Sequence, residues 1–518
     1  MPQGYPHGHD ERTLVTEAGM ASAAGVAASR ASGGRVEGWL AGDHHIHTQF
    51  SSDGLYRVID HVQHAHAYGL DWMVITDHAS ATHAKIGVEA VNPHIRAARS
   101  EFDMLVFQGL EWNIPAAEHG TVFVHPGVNE VAVLKQFENE YDGILRRAEG
   151  SSPANERLAL EGLAFLASAK SSKRVQDALM LANHPARKGI DSPHELRDWR
   201  DAPGRIAVGM EGAPGHQAAG IPAPHGPGHP RGEYGNGPTA DSFAPYPLES
   251  YRTFGGFDWM TATVGGLWDS MLAEGRPWWV TANSDSHAVH LDGAMLPAGG
   301  HFHSEGRHAD PIYGPGRAER GDFWPGYFSR TMVGARRRDY ASVMQALREG
   351  RVWVDHGRLV GNLDVTVEAG GAHAGLGGVV MAERGSRVTL QVTVTKAHLP
   401  NWAEILPNLA TVDAISGPVT GPASDRDSFS AAHTRVVRSW DLSRSPAGEA
   451  LALRLDLGRV DDRGLYVRLR GSDGNRLAAG PGGAKVDPAG PIIDAIGDAD
   501  PWKDLWFYTN PIWVLPAQ

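Results

Sequence analysis

A chain of 518 residues, 42% hydrophobic and 21% charged, has the make-up of a globular protein too long for one ordinary core. A net charge of −13 leaves no basic surplus for a phosphate backbone, and no run approaches the roughly 18 apolar residues of a membrane-spanning helix, so neither nucleic acid nor membrane is an expected partner. Cysteine is absent, which excludes disulfides and thiolate metal sites; a metal would have to be held by carboxylates and the 27 histidines.

Residues 1–35 read as a flexible segment, rich first in Pro, Gly and His and then in Ala, Ser and Gly. A signal peptide fits poorly, because the small-residue run lacks a Leu-rich block and acidic residues precede it. A soluble cytoplasmic protein and a trimmed exported form both stay open. Gly38-Trp39-Leu40-Ala41 then reads as a short strand running into Asp43-His44-His45-Ile46-His47-Thr48. Side chains alternate along a strand, so His45 and His47 face the same way and can reach one metal ion. Asp53 follows in a Ser-Asp-Gly turn that can fold its carboxylate back towards them.

From Val36 to about Gly357 short apolar strands alternate with helical stretches. The spacing over Leu55–Gly69 predicts a helix, with Gly69 as its stop. Strands are expected at residues 71–76, 104–110, 120–124, 178–183, 206–210 and 278–283. Almost all end in a polar signature: Asp77-His78, Glu111, Asn183-His184-Pro185, Glu211-Gly212 and Ser284-Asp285-Ser286-His287. His119 instead opens its strand, and His125 closes it. Strands alternating with helices imply a parallel sheet, and in a barrel such strand ends converge on one face. Residues 213–256 and 288–330 are long irregular insertions that start on that face, read as walls that deepen the site for a small substrate. Their histidines (His225, His229, His290, His301, His303, His308) match no ligand spacing. Beyond a helix at 339–348 and a strand at 352–354, the pattern turns to period two at 363–368, 387–394, 451–457, 465–469 and 508–514. That alternation predicts an antiparallel β-sandwich over residues 358–518.

Asp43-His44-His45-Ile46-His47-Thr48, Ser52-Asp53-Gly54, Thr76-Asp77-His78, Gly109-Leu110-Glu111, His119, Asn183-His184-Pro185 and Ser284-Asp285-Ser286-His287 together resemble the PHP (polymerase and histidinol phosphatase) superfamily of metallohydrolases, over about residues 36–357. The β-rich carboxyl extension is loosely similar to the branch that includes carbaryl hydrolase. The resemblance implies a distorted (β/α)7 barrel with two or three divalent transition metals, usually Zn, Mn or Fe. It implies that His45, His47, Glu111 and Asp285 hold one metal, that Glu111 bridges to a second held by His119 and His184, and that Asp53, His78 and His287 hold a third. Imidazoles and carboxylates suit Zn, Mn and Fe(II). A bridging water, deprotonated near neutral pH, would be the nucleophile.

Around these ligands, Asp43 and Asp77 are expected either to orient an imidazole or to cap a turn. Arg187 is expected either to meet an anionic substrate oxygen or to form a surface ion pair. Glu211 and His216 fall on the same face, and Trp112 and Asn113 either wall the pocket or belong to the core. Glu111, Asp285, Arg187 and His216 are the candidate catalytic residues. The leading expectation is a phosphoesterase acting on an anionic small molecule. Hydrolysis of a carbamate or carboxylic ester on the same metals, and a silent metal- or partner-binding protein, are the alternatives. Oligomeric state is not readable.

Overall fold

The alternation of apolar runs and helical stretches builds one large curled sheet. The structure, a computed structural model, describes residues 38–299, 302–475 and 490–517, so the segment 1–35 lies outside the described residues. Nine principal strands precede residue 357: β1 (Gly38–Asp43), β2 (Trp72–Ile75), β3 (Leu105–Asn113), β4 (His119–Val124), β5 (Ala178–Ala182), β6 (Ala207–Ala213), β7 (Trp279–Ala282), β8 (Ser329–Ala335) and β9 (Val352–His356). They lie in the order β9-β8-β1-β2-β3-β4-β5-β6-β7. Trp72, Met73, Val74 and Ile75 are all buried, as expected of a strand covered on both faces. Helices Val58–Ala67, Asn92–Glu101, Pro153–Ser171 and Pro193–Asp201 connect the strands. Ser152 and Ser192 cap the last two, each with a proline just inside the helix. The helix expected over 55–69 spans Val58–Ala67, and Gly69 stops it at φ 79°.

Two expectations are corrected here. The sheet is mixed rather than parallel: β4 runs antiparallel to β3 and β5, and β8 antiparallel to β1 and β9. Only residues 114–118 join β3 to β4, far too short for a parallel crossover, which needs a dozen residues or more. Nor does main-chain pairing close the barrel among the described residues. β7 meets β8 through one side chain instead: Ala282 N donates to Thr331 Oγ1 at 2.8 Å, and that hydroxyl donates to Ala282 O at 2.6 Å.

The carboxyl half supplies β10 (Val360–Ala369), β11 (Ala372–Ala374), β12 (Val379–Ala382), β13 (Arg387–Lys396), β14 (Thr411–Pro418), β15 (Arg435–Asp441), β16 (Ala450–Arg459), β17 (Leu465–Ser472), β18 (Trp506–Thr509) and β19 (Ile512–Pro516). β11-β10-β13-β16 form a separate antiparallel sheet. The others extend the large sheet, antiparallel except for the β12–β19 pair, with β18 hydrogen-bonded directly to β9. Val365, Leu390 and Val392 of the first sheet share a buried cluster with Val412, Val467 and Val514 of the second. The single strand expected over 508–514 is two, because Pro511 has no N–H to continue a ladder. A buried ion pair ties the halves together: Arg468 donates through Nε and Nη2 to Asp269, both at 2.8 Å.

Candidate metal centre

β1 ends at Asp43, yet the chain stays extended through His47. Ile46 bridges to Ser286, and His47 N donates to Ser286 O at 3.1 Å. Ile46 turns into the core, so His45 and His47 share the opposite side, with their Nε2 atoms 2.9 Å apart. Reversal of β4 explains why His119 opens its strand: the start of an antiparallel strand lies beside the ends of its neighbours. His119 pairs with Asn113, two residues beyond Glu111 on the same face of β3. His125 sits at the other end, where its Nδ1 meets Pro126 O.

Glu111 is the centre of the cluster. Its Oε1 lies 3.1 Å from His45 Nε2, 3.1 Å from His119 Nδ1 and 3.3 Å from His184 Nε2, and accepts from Asn183 Nδ2 at 2.9 Å. Its Oε2 lies 2.8 Å from His78 Nδ1 and 3.4 Å from His47 Nε2. Asp285 Oδ1 is 3.1 Å from His45 Nε2 and 3.2 Å from His47 Nε2. Asp53 completes the outer edge, 3.1 Å from His78 Nε2 and 3.6 Å from His287 Nε2. All nine expected ligands therefore gather in one place. Four groups of donor atoms close enough to hold an ion emerge among the described residues: His45, His47 and Asp285; His78, Glu111 and His119; His47, Asp53, His78 and His287; and His216, His287 and Asp322.

The electrostatics suit cations. Burial alone would raise the Glu111 carboxyl, but His119, His45 and His78 hold it well below its ordinary range. Burial would likewise raise Asp285, and His216 and His45 bring it well down. Burial would lower His45, and the carboxylates of Asp285, Glu111 and Glu211 more than reverse this. His47 goes the other way, pushed well down by burial and by His287 and His78. The two Nε2 atoms face each other at 2.9 Å, a place a divalent ion can take. Both rings have their far nitrogens engaged, His45 Nδ1 by Glu211 Oε1 at 2.7 Å and His47 Nδ1 by Ser51 Oγ at 3.2 Å, which turns each Nε2 inward. His184 Nδ1 and Asp285 Oδ1 are buried without hydrogen-bond partners. This donor set, all imidazole and carboxylate, fits divalent transition metals.

The supporting residues differ in part from expectation. Asp77 caps a turn, accepting from Thr48 N at 2.6 Å, and Asp43 accepts from His45 N at 3.1 Å; neither holds an imidazole. Glu211 does that work, since its Oε2 also accepts from His184 N at 2.7 Å, and burial pushes its carboxyl up. Trp112 is core, its indole donating to Tyr141 O, and Asn113 bonds Ala79 O and Asp142. Arg187 is not on the surface: its Nε lies 3.5 Å from Glu118 Oε1 and has no hydrogen-bond partner, and Glu118 is brought down to about 2 by Arg187 and His119 against its burial. Apart from His216, the insertion histidines that are described stay outside the cluster; His290 and His308 bond backbone carbonyls and His303 meets Thr82, while His301 lies outside the described residues. Asp322 went unforeseen. It reaches the site on the return arm of the 288–330 insertion, where no motif marks it. His184, His216 and Asp285 all have left-handed φ, at 30°, 52° and 44°, strain of the kind concentrated at functional sites.

The sheet's strand ends gather six imidazoles and three carboxylates that could hold metal ions. Residues 43–157 match the family model of the PHP domain. Among solved structures the chain is similar to a two-domain protein from Bacteroides vulgatus ATCC 8482 containing a predicted PHP-like metal-dependent phosphoesterase, at 15% identity over 84% of this chain and 92% of that one, with a TM-score of 0.33. It is also similar to a candidate metal-dependent phosphoesterase from Bifidobacterium adolescentis ATCC 15703, at 22% identity over 25% of this chain and 49% of that one, TM-score 0.15. A third similarity is to Endonuclease Q bound to a 27-mer duplex with an abasic lesion, at 15% identity over 36% and 47% of the two chains, TM-score 0.22. No curated protein matches the chain. Among the described residues, no helix is long and apolar enough to cross a membrane.

Proposed function

We propose that the chain is a metal-dependent phosphoesterase acting on a small anionic phosphoester. The observation that carries this reading is the single Glu111 carboxylate, with ring nitrogens of His45, His78, His119 and His184 within 3.3 Å of its two oxygens. Two or three ions of Zn, Mn or Fe would be held by His45, His47 and Asp285, by Glu111, His119 and His184, and by Asp53, His78 and His287. When bound, such ions supply positive charge against an ester oxygen and make water acidic enough to react at neutral pH. The chain's own residues supply the rest. Glu111 and Asp285 stay ionised. Glu211 fixes His45 and the His184 turn. Arg187, ion-paired with Glu118 through Nε, has a planar fork that suits an anionic phosphate oxygen.

The net charge of −13 favours a small substrate over nucleic acid. The 288–330 insertion narrows the approach, because His308 N donates to Gln49 O at 2.7 Å and His308 Nε2 meets Ser52 O at 2.9 Å, directly beside Asp53. Purified protein supplemented with Mn or Zn should carry two to three metal equivalents and turn over chromogenic phosphomonoesters. Hydrolysis of aryl esters or carbamates with no phosphoester turnover would move the reading to carbon esters on the same centre. Less than one equivalent of metal would refute it.

A further inference from the structure

Two insertions meet behind Asp285: the one after β6 supplies His216, and the one after β7 supplies Asp322. His216 lies between Asp285 and Asp322: its Nε2 is 2.9 Å from Asp285 Oδ2, and its Nδ1 is 2.5 Å from Asp322 Oδ1. Asp322 is itself fixed, because its Oδ2 accepts from the backbone N–H groups of His287 and Ala288, each at 2.6 Å. Its backbone is fixed as well, with His290 N donating to Asp322 O at 2.8 Å. His216 has no freedom to leave. Its N donates to Ser284 O at 3.2 Å, its carbonyl accepts from Ala219 and Gly232, and its φ of 52° is held by those contacts. The residue before it, Gly215, runs so close to the Asp285 turn that a Cβ there would lie 2.2 Å from Asp285 Cβ.

We propose that Asp322, His216 and Asp285 form a carboxylate–imidazole–carboxylate relay in which His216 is a positioning residue that reserves one oxygen of Asp285 for metal. Asp285 divides its two oxygens: Oδ1 faces His45 and His47, and Oδ2 is taken by His216. With Nδ1 held by Asp322, the His216 ring is locked in the plane that presents Nε2 to Oδ2. A free carboxylate turns about its last torsion and offers either oxygen or both; this one is pinned to a single oxygen, as outer partners pin ligands in metal sites. The insertions are thereby more than walls, since each contributes one member of the relay. The inference rests on the metal-hydrolase reading for what Oδ1 faces, but the two hydrogen bonds of His216 do not.

Two near-isosteric variants separate the possibilities. His216→Gln keeps a donor near the Nε2 position and loses the one near Nδ1, whereas His216→Asn keeps the Nδ1-like donor and loses contact with Asp285. Binding of Mn or Zn to metal-free protein, measured in competition with a chromogenic chelator, should weaken about 10- to 100-fold in His216→Asn, and only a few-fold in His216→Gln and Asp322→Ala, which lose the Asp322 link alone. Wild-type affinity in His216→Asn would reduce His216 to a strut for the loop and overturn the relay. Loss of one whole metal equivalent in His216→Gln would make Nε2 a direct ligand and overturn it too. A second measurement needs no metal. In metal-free protein labelled with 15N-histidine, the protected ring N–H signal that His216→Gln removes should also vanish in Asp322→Ala. Its survival there overturns the relay, whereas wild-type protein that binds no metal while the signal behaves as expected overturns only the hydrolase reading.

Discussion

Replacing Glu211 by Gln tests the idea that one buried carboxylate orients two of the metal-facing residues. Glu211 is completely buried, and each of its oxygens has one donor: His45 Nδ1 at 2.7 Å and His184 N at 2.7 Å. Glutamine has nearly the same shape but only one oxygen. Whichever way its amide lies, one of the two donors faces an NH2 group. If the NH2 faces His45, the ring loses the acceptor that turns Nε2 inward; if it faces His184, the left-handed turn loses its anchor. A hydrogen bond to a charged group contributes about 1.5–3 kcal/mol. At about 1.4 kcal/mol per tenfold, losing one corresponds to roughly 10- to 100-fold weaker metal binding. Chelator competition on metal-free protein reads this directly, and the same preparation gives the thermal midpoint as a check on folding. An affinity within about threefold of wild type, in a folded variant, would refute the orienting role.

Three further outcomes are expected. His119→Ala should lose metal and most activity, whereas His125→Ala, at the far end of β4, should keep its metal content; the reverse result would mean the strand direction is wrong. Asp269→Ala leaves Arg468 buried without its bidentate partner and should cost about 3–5 kcal/mol in denaturant unfolding, while replacing both residues by apolar ones should recover much of it; a loss below about 1 kcal/mol would show that the pair does not join the two halves. His44, pushed down to about 3 by burial and by the charge of His45, stays neutral in the folded protein but takes up a proton below about pH 6.5 when unfolded. Below that pH the unfolded state binds more protons, so stability falls as pH falls. Between pH 7 and 5 wild-type metal-free protein should lose roughly 2 kcal/mol more than His44→Asn, and an equal or smaller loss would contradict the assignment.

The inner residues of the centre were legible because their types carry the chemistry. A His-x-His after a strand, and acids or histidines at successive strand ends, point to one face whichever way each strand runs. Strand direction was also written in the chain, since residues 114–118 leave no room for a crossover, but the alternation of strands and helices around them suggested a uniform parallel sheet. Pro511 likewise marked the break between β18 and β19 inside an otherwise continuous apolar run. Asp322 was not legible. Its neighbours Gly321 and Phe323 form no motif, and its place depends on how a long loop returns to the sheet. Trp112 and Asp77 show the opposite case, residues adjacent to ligands that turn away to serve the core and a turn.

The hairpin of β3 and β4 also bears on how the protein assembles in time. Glu111 and His119 are eight residues apart and face each other across a short turn, whereas the Glu211–His45 contact must close 166 residues of chain. A hairpin forms in about 1–10 μs, and long loops pay a larger closure entropy before any contact rewards them. During refolding, the Glu111–His119 half of the centre is therefore expected to form before the half that contains Asp285. Ions added to the refolding chain should be taken up in two kinetic phases, weakly first and tightly only after residues 283–287 arrive beside β1.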